Sequence, residues 1–370
     1  MLPRSSPLSL RRSPRRSPGP SAPPSPGPSA RRARRPGRPS SRGAALGYGL
    51  PAAVLLLGAA ALLSVGIGTR ALSPGEVWHG LFTPSGTRAD EIVRELRLPR
   101  TLIGLAAGAA LGLAGTLMQA LTRNPLADPG ILGVNAGAAT AVVTGIGLLG
   151  LHSPAAYTWL ALAGAGAAAI LVQALAGGRQ ATPVRLMLAG TALNAALFAY
   201  VNGLQLLDLN TLDGMRFWTL GTLARQDTGH LVQILPFLLA GTLLGAALTG
   251  PLNALALGED TARSLGAHVA RTRWLSVAAI TLLCGATTAL CGPIGFVGLM
   301  IPHAVRAFTG PDVRWMVPYS MLLASATLLL SDVAGRLLAR PSEIEVGVVT
   351  SAVGGVVLIV LVRGRRLSAR

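Results

Sequence analysis

The residues able to do chemistry in this 370-residue chain are few and scattered. His79, His152, His230, His268 and His303 fall in five separate loops or helix ends, and none has a cysteine, histidine or carboxylate at metal-ligand spacing. A zinc hydrolase of the usual membrane or soluble kind would need a constellation such as His-Glu-x-x-His, and none occurs. Cys284 and Cys291, seven apart, lie on roughly the same face of one predicted helix. Two thiols do not complete a zinc site, so they read as small residues packed between helices. All 32 basic residues are arginine. The absence of lysine excludes any step that needs a lysine amine, including the phosphate-cradling Gly-x-x-x-x-Gly-Lys-Ser/Thr loop. No catalytic residue, cofactor or metal site is expected, and an ATPase, if one drives this protein, must be a separate chain.

Two patterns remain. Asp332 and Arg336 stand four apart near one end of an apolar block, the spacing of a helical ion pair. The middles of the other apolar blocks are almost free of ionisable groups, which argues against a proton-coupled secondary carrier, the main alternative among transporters. The stretch 251–273 is too polar to cross a bilayer but well patterned. Glu259 and Asp260 suit a helix N-terminus, Ala262 and Leu265 give an apolar face at i, i+3, and Gly266 suits a helix stop. It reads as a short amphipathic helix on the cytoplasmic side, either a plain connector or a knob for a soluble partner.

The elements that must carry these residues are membrane helices. Apolar residues make up 51% of the chain and charged ones only 12%, against about 25% charged in a soluble protein. The apolar residues come in blocks readable as spans: 44–69, 102–121, 131–150, 157–176, 184–206, 230–249, 274–290, 296–308, 317–334 and 346–362. The eighth is too short to cross upright, and Pro302 is expected to bend it. Gly104, Gly108, Gly112 and Gly115 recur at three- and four-residue steps, the spacing that lets helix backbones touch in lipid.

The formal charge of +18 does not point to nucleic acid, because eleven of the arginines lie in 1–42, among eleven prolines and without any acid or aromatic. Residues 1–43 are therefore expected to be a disordered cytoplasmic tail, an arm on anionic lipid, a topology determinant or a misplaced start. The body is 44–363, and 364–370 form a basic cytoplasmic tail. Arginines before the first span and after the tenth place both termini inside, as an even number of spans requires.

Several ordered motifs resemble one family, the FecCD-type permeases that include vitamin B12 and ferric siderophore importers. They are Arg97-Leu98-Pro99-Arg100, Gly115-Thr116-Leu117-Met118-Gln119-Ala120, Asn124-Pro125-Leu126-Ala127-Asp128-Pro129-Gly130, and Leu132-Gly133-Val134. Ala262-Arg263-Ser264-Leu265-Gly266, Gly295-Phe296-Val297-Gly298-Leu299 with Ile301-Pro302-His303, and Asp332 with Arg336 complete the set. The resemblance runs from about residue 98 to 362. It departs where the family has Glu-Leu-Pro-x-Gly and this chain has Glu343-Ile344-Glu345-Val346-Gly347, and again at Gly354-Gly355-Val356.

The resemblance implies an all-α permease of about ten transmembrane helices in a bacterial plasma membrane. It would pair with a second copy or a paralogue, two ATP-binding-cassette ATPase subunits and an extracytoplasmic substrate-binding protein, and would bind no nucleic acid. Glu259, Asp260, Ala262, Arg263, Ser264, Leu265 and Gly266 would couple to the ATPase. Arg97, Arg100 and Arg336 would face outward and receive carboxylates of the binding protein; as residues alone they also read as interfacial side chains snorkelling at helix ends. The stretch Phe217-Trp218-Thr219-Leu220-Gly221-Thr222-Leu223 looks more like the siderophore branch than the B12 branch, with haem and cobalamin as the alternatives.

Overall fold

The structure is a computed structural model, and it describes residues 41–151, 153–178, 181–216, 218–224 and 228–368. Most of the expected N-terminal tail, His152, Phe217 and the last two residues lie outside them. The chain folds as helices α1 (Ser41–Gly66), α2 (Pro74–Phe82), α3 (Arg88–Glu91), α4 (Leu98–Thr122), α5 (Val134–Gly147), α6 (Pro154–Leu175), α7 (Pro183–Leu207) and α8 (Leu209–Arg216). They continue as α9 (Thr228–Ala247), α10 (Thr249–Ala256), α11 (Glu259–Ser264), α12 (Val269–Cys291), α13 (Val297–Thr309), α14 (Val313–Leu338) and α15 (Val346–Ser368). A wide π turn, Ile92–Arg97, joins α3 to α4, and a 3-10 turn, Pro129–Leu132, precedes α5. No strand occurs among the described residues.

Every apolar block predicted from the sequence is largely helical, but among the described residues seven helices are long and apolar enough to cross a bilayer. Helices α5 and α13 have 14 and 13 residues, and the apolar part of α15 is Val346–Val360. At about 1.5 Å per residue α5 and α13 are too short for a hydrocarbon core of about 30 Å. The two boundary tails also shift: α1 begins at Ser41, three residues ahead of the expected span, and α15 carries the C-terminal arginine run as helix through Ser368.

Helix α4 lies at the centre. Its glycine stripe is used as contact surface: a β-carbon at Gly108 or Gly112 would collide with the α14 backbone at Ser325 and Ser320, and one at Gly115 with the carbonyl of Gly298 in α13. With no side chain in the way, dispersion contact between backbones replaces the hydrophobic drive that lipid cannot supply. Gly115 is about two-thirds of the way along α4, so the N-terminus of α13 starts inside the bundle.

Between α8 and α9 the irregular backbone at Gly221 and Thr222 is paired to the ends of α12 and α15. The N–H of Thr222 donates to Cys291 O (2.8 Å), and the N–H of Gly347 donates to Gly221 O (3.1 Å). Gly221, at φ 70°, sits against the carbonyl of Pro293 where a β-carbon would not fit. Helix α5 is completed similarly: Asn194 Nδ2 donates to Gly130 O (3.1 Å) and Thr288 Oγ1 to Asn135 Oδ1 (2.8 Å). Non-helical backbone at membrane depth is tolerated only when buried in protein with its polar groups paired in this way.

The connections are built as carefully. Helix α2 opens on a complete capping box between Ser73 and Glu76, and the Ser73 N–H and hydroxyl hold the Glu76 carboxyl below the usual carboxylate range. Asp208, beyond the end of α7, is likewise lowered by the hydroxyl and N–H of Thr211.

Candidate functional sites at the two ends of helix α14

Helix α14 carries one site at each end, about 39 Å apart for its 26 residues. At its N-terminus, Asn253 of α10 donates to Asp312 Oδ1 (2.6 Å) and accepts from the N–H of Val313 (2.9 Å). That clamp fixes α10, and α11 follows after Gly258, whose φ of 110° reverses the chain.

Helix α11 ends in a full Schellman arrangement: the N–H of Gly266 donates to Arg263 O and that of Ala267 to Ala262 O, both at 2.9 Å, with Gly266 at φ 83°. The expected helix is present, but its expected apolar face is not. Ala262 is fully buried in the body, whereas Leu265 is 64% exposed beyond the last helical residue. Six residues are too few to bring i and i+3 onto one face once the last of the pair has become the cap. The exposed apolar knobs are instead Leu257 and Leu265. Around them Arg263 bonds Asp260 (3.2 Å) and Glu259 (3.5 Å), Arg273 also bonds Glu259, and Ser264 Oγ donates to Thr261 O.

The other end holds the arginines. Asp332 is fully buried and accepts from Arg100 Nε at 2.9 Å, from another Arg100 nitrogen at 2.7 Å, and from Arg336 at 3.0 Å. The ion pair that the i, i+4 spacing of Asp332 and Arg336 suggested is therefore present, with a third member from α4 that the sequence did not offer. Arg336 also donates to Ser64 O (3.0 Å), Ile67 O (2.6 Å) and Ser64 Oγ (3.2 Å), tying α14 to the end of α1. Arg97 donates to three carbonyls, Val65, Gly66 and Arg70. None of the three predicted arginines snorkels freely: Arg97, Arg100 and Arg336 are 4%, 8% and 2% exposed. All three stand near helix ends, where the guanidinium reach of several bonds lets each close a gap between helices.

Two more charged residues belong here. Glu343, in the α14–α15 connection, accepts from the remaining arm of Arg100 at 2.7 Å, and Arg340 donates to Gly68 O (2.6 Å). Glu343 was visible in the sequence only as part of a departing motif, because its partner is 243 residues away. Arg70, Arg97, Arg100, Arg336 and Glu343 line one concavity of about 370 Å³ with Ile92, Leu96 and Ala224. Four guanidiniums against Glu343 and the underlying Asp332 leave a surplus of +2 (4 − 2). Such a recess suits a carboxylate, which an arginine grips by two parallel bonds.

Cys284 and Cys291 are free and buried, and His303 is a core residue accepted by the carbonyl of Pro125 at 3.1 Å rather than a loop residue. His79 meets Asp90 at 3.3 Å. Among the described residues no group of three His, Cys, Asp or Glu side chains could hold a metal.

The model of the FecCD transport family matches residues 55–364. The ferric enterobactin transport system permease FepD of Escherichia coli is 48% identical over 318 residues, 85% of this chain and 94% of that protein. The Fe(3+)-citrate import system permease YfmD of Bacillus subtilis is 38% identical over 82% of this chain and 91% of its own length. Among solved structures, a metal-chelate type ABC transporter in an inward-facing conformation superposes with a TM-score of 0.75 at 29% identity, covering 86% of this chain and 99% of that one.

Proposed function

We propose that this chain, which belongs to the FecCD transport family and is the permease of an ATP-binding-cassette importer, carries a ferric siderophore into the cytoplasm. The permease is a multi-pass membrane protein and not an enzyme; membership implies a separate ATPase and a paired permease. The observation that carries the cargo is the 48% identity with a ferric enterobactin permease, sustained over 85% of the chain. Citrate, haem and cobalamin are the competing cargoes.

In this reading the body 44–363 crosses the bilayer ten times, the short helices α5 and α13 being completed by the buried irregular segments ahead of them. The α11 end faces the cytoplasm, and Leu257 and Leu265 enter a groove on the ATPase, an apolar anchor with a charged rim. The arginine end faces outward, where Arg100 receives a carboxylate of an extracytoplasmic binding protein while Arg97 and Arg336 brace the recess from below. The partner permease is a second copy or a paralogue, and two ATPase subunits complete the assembly.

Uptake of radiolabelled ferric enterobactin, ferric citrate, haem and cobalamin into vesicles carrying the complete complex tests the cargo. ATP-dependent accumulation of the ferric siderophore, insensitive to collapse of the proton gradient, is expected. Uptake of haem or cobalamin in its place would overturn the assignment.

A further inference from the structure

Arg100 uses its guanidinium in two halves. Nε and one terminal nitrogen are committed to Asp332, which has no exposed surface; the other terminal nitrogen points into the recess and meets Glu343, whose side chain is 30% exposed. These two pairs differ in what they cost to break. A buried pair cannot be opened without leaving an uncompensated charge in low dielectric. A partly solvated pair gains little over the same two groups in water, so another carboxylate can replace its acid with small loss.

Glu343 is also placed where its release would be felt. The next residue, Ile344, donates its N–H to Gly335 O (3.2 Å), and its own carbonyl packs so closely on Gly335 that no β-carbon would fit. Four residues on from Glu343, at the start of α15, the N–H of Gly347 donates to Gly221 O (3.1 Å), pairing a buried carbonyl of the irregular segment between α8 and α9. The chain from Arg100 through Glu343 to Gly221 is thus continuous, and only its first contact is exposed.

We propose that Glu343 is a resident carboxylate that occupies the open arm of Arg100 until an acidic side chain of the docking protein displaces it, freeing the start of α15 from the arginine cluster. This rests on the docking reading above and adds to it the residue that sets docking affinity and the path by which docking reaches the interior. The exchange conserves pairing at Arg100, since one carboxylate leaves the guanidinium as one arrives, while the incoming charge lowers the surplus of the recess from +2 to +1.

The test uses the complete transporter in lipid nanodiscs and the binding protein that supports uptake in the vesicle assay. Glu343→Gln keeps the shape and removes the competitor, and it should tighten docking roughly fivefold. Arg100→Gln should weaken docking by roughly tenfold or more, and in that background Glu343→Gln should have no further effect. In the unaltered chain, docking should speed hydrogen exchange at the amides of Ile344 and Gly347, and Glu343→Gln should do so without the partner. If Arg100→Gln weakens docking while Glu343→Gln leaves it unchanged or weaker, the recess docks a carboxylate but the exchange is wrong. A gain that persists in the Arg100→Gln background also overturns exchange, by showing simple repulsion. Docking indifferent to Arg100→Gln and to added salt removes the docking reading itself. Should Arg100→Gln fail to insert, Glu343→Gln alone with the exchange measurement still decides the proposal.

Discussion

Arg336 shows what a single buried side chain does in this protein. Its guanidinium joins α14 to α1 through Ser64 and Ile67 and shares Asp332 with Arg100, so its loss leaves carbonyls and half a carboxylate unpaired in a dry site. Arg336→Leu is expected to destabilise the chain by about 3–5 kcal/mol, seen as a lower midpoint in thermal unfolding in detergent. An unchanged midpoint would make the residue dispensable to the fold. Gly115 makes the same point with the opposite chemistry. Gly115→Ala should cost about 1–3 kcal/mol, because the carbonyl of Gly298 fills the space a methyl would need; a neutral outcome would show that α4 and α13 separate easily.

Between residues and the whole stands α11, whose six helical residues and C-cap present two very different apolar positions. Leu265→Asp changes an exposed residue, so the unfolding midpoint should hold while substrate-stimulated ATP hydrolysis and uptake are lost together. Ala262→Leu forces volume into a fully buried position, and there the midpoint should fall. If Leu265→Asp leaves full uptake in a correctly inserted complex, α11 is a connector and not the coupling element.

On the topology proposed above the two sites lie on opposite faces of the membrane, and the protein's own cysteines make that measurable. Cys284 and Cys291 are buried and should not react with a membrane-impermeant maleimide. Single cysteines at the exposed positions Leu96 and Leu265 then report sidedness: Leu96→Cys should label from outside in intact spheroplasts, and Leu265→Cys only in inverted vesicles. Labelling of both from one side would break the proposed topology and with it the separation of docking from coupling.

Much of the architecture was open to reading along the chain, because hydropathy blocks and the glycine stripe are local signals of sequence period. The cap of α11 at Gly266 and the Asp332–Arg336 pair were equally local. What sequence left open was whatever depends on pairing across hundreds of residues: that Ala262 turns inward while Leu265 does not, that α5 and α13 begin inside the bundle, and that Arg97 closes on the end of α1. The partnership of Arg100 with Asp332 and Glu343, 232 and 243 residues distant, has no periodic trace. A helix reports its own face through spacing, but which charge meets which is decided only when helices pack, since in lipid the cost of an unpaired group makes every buried arginine find its partner in space.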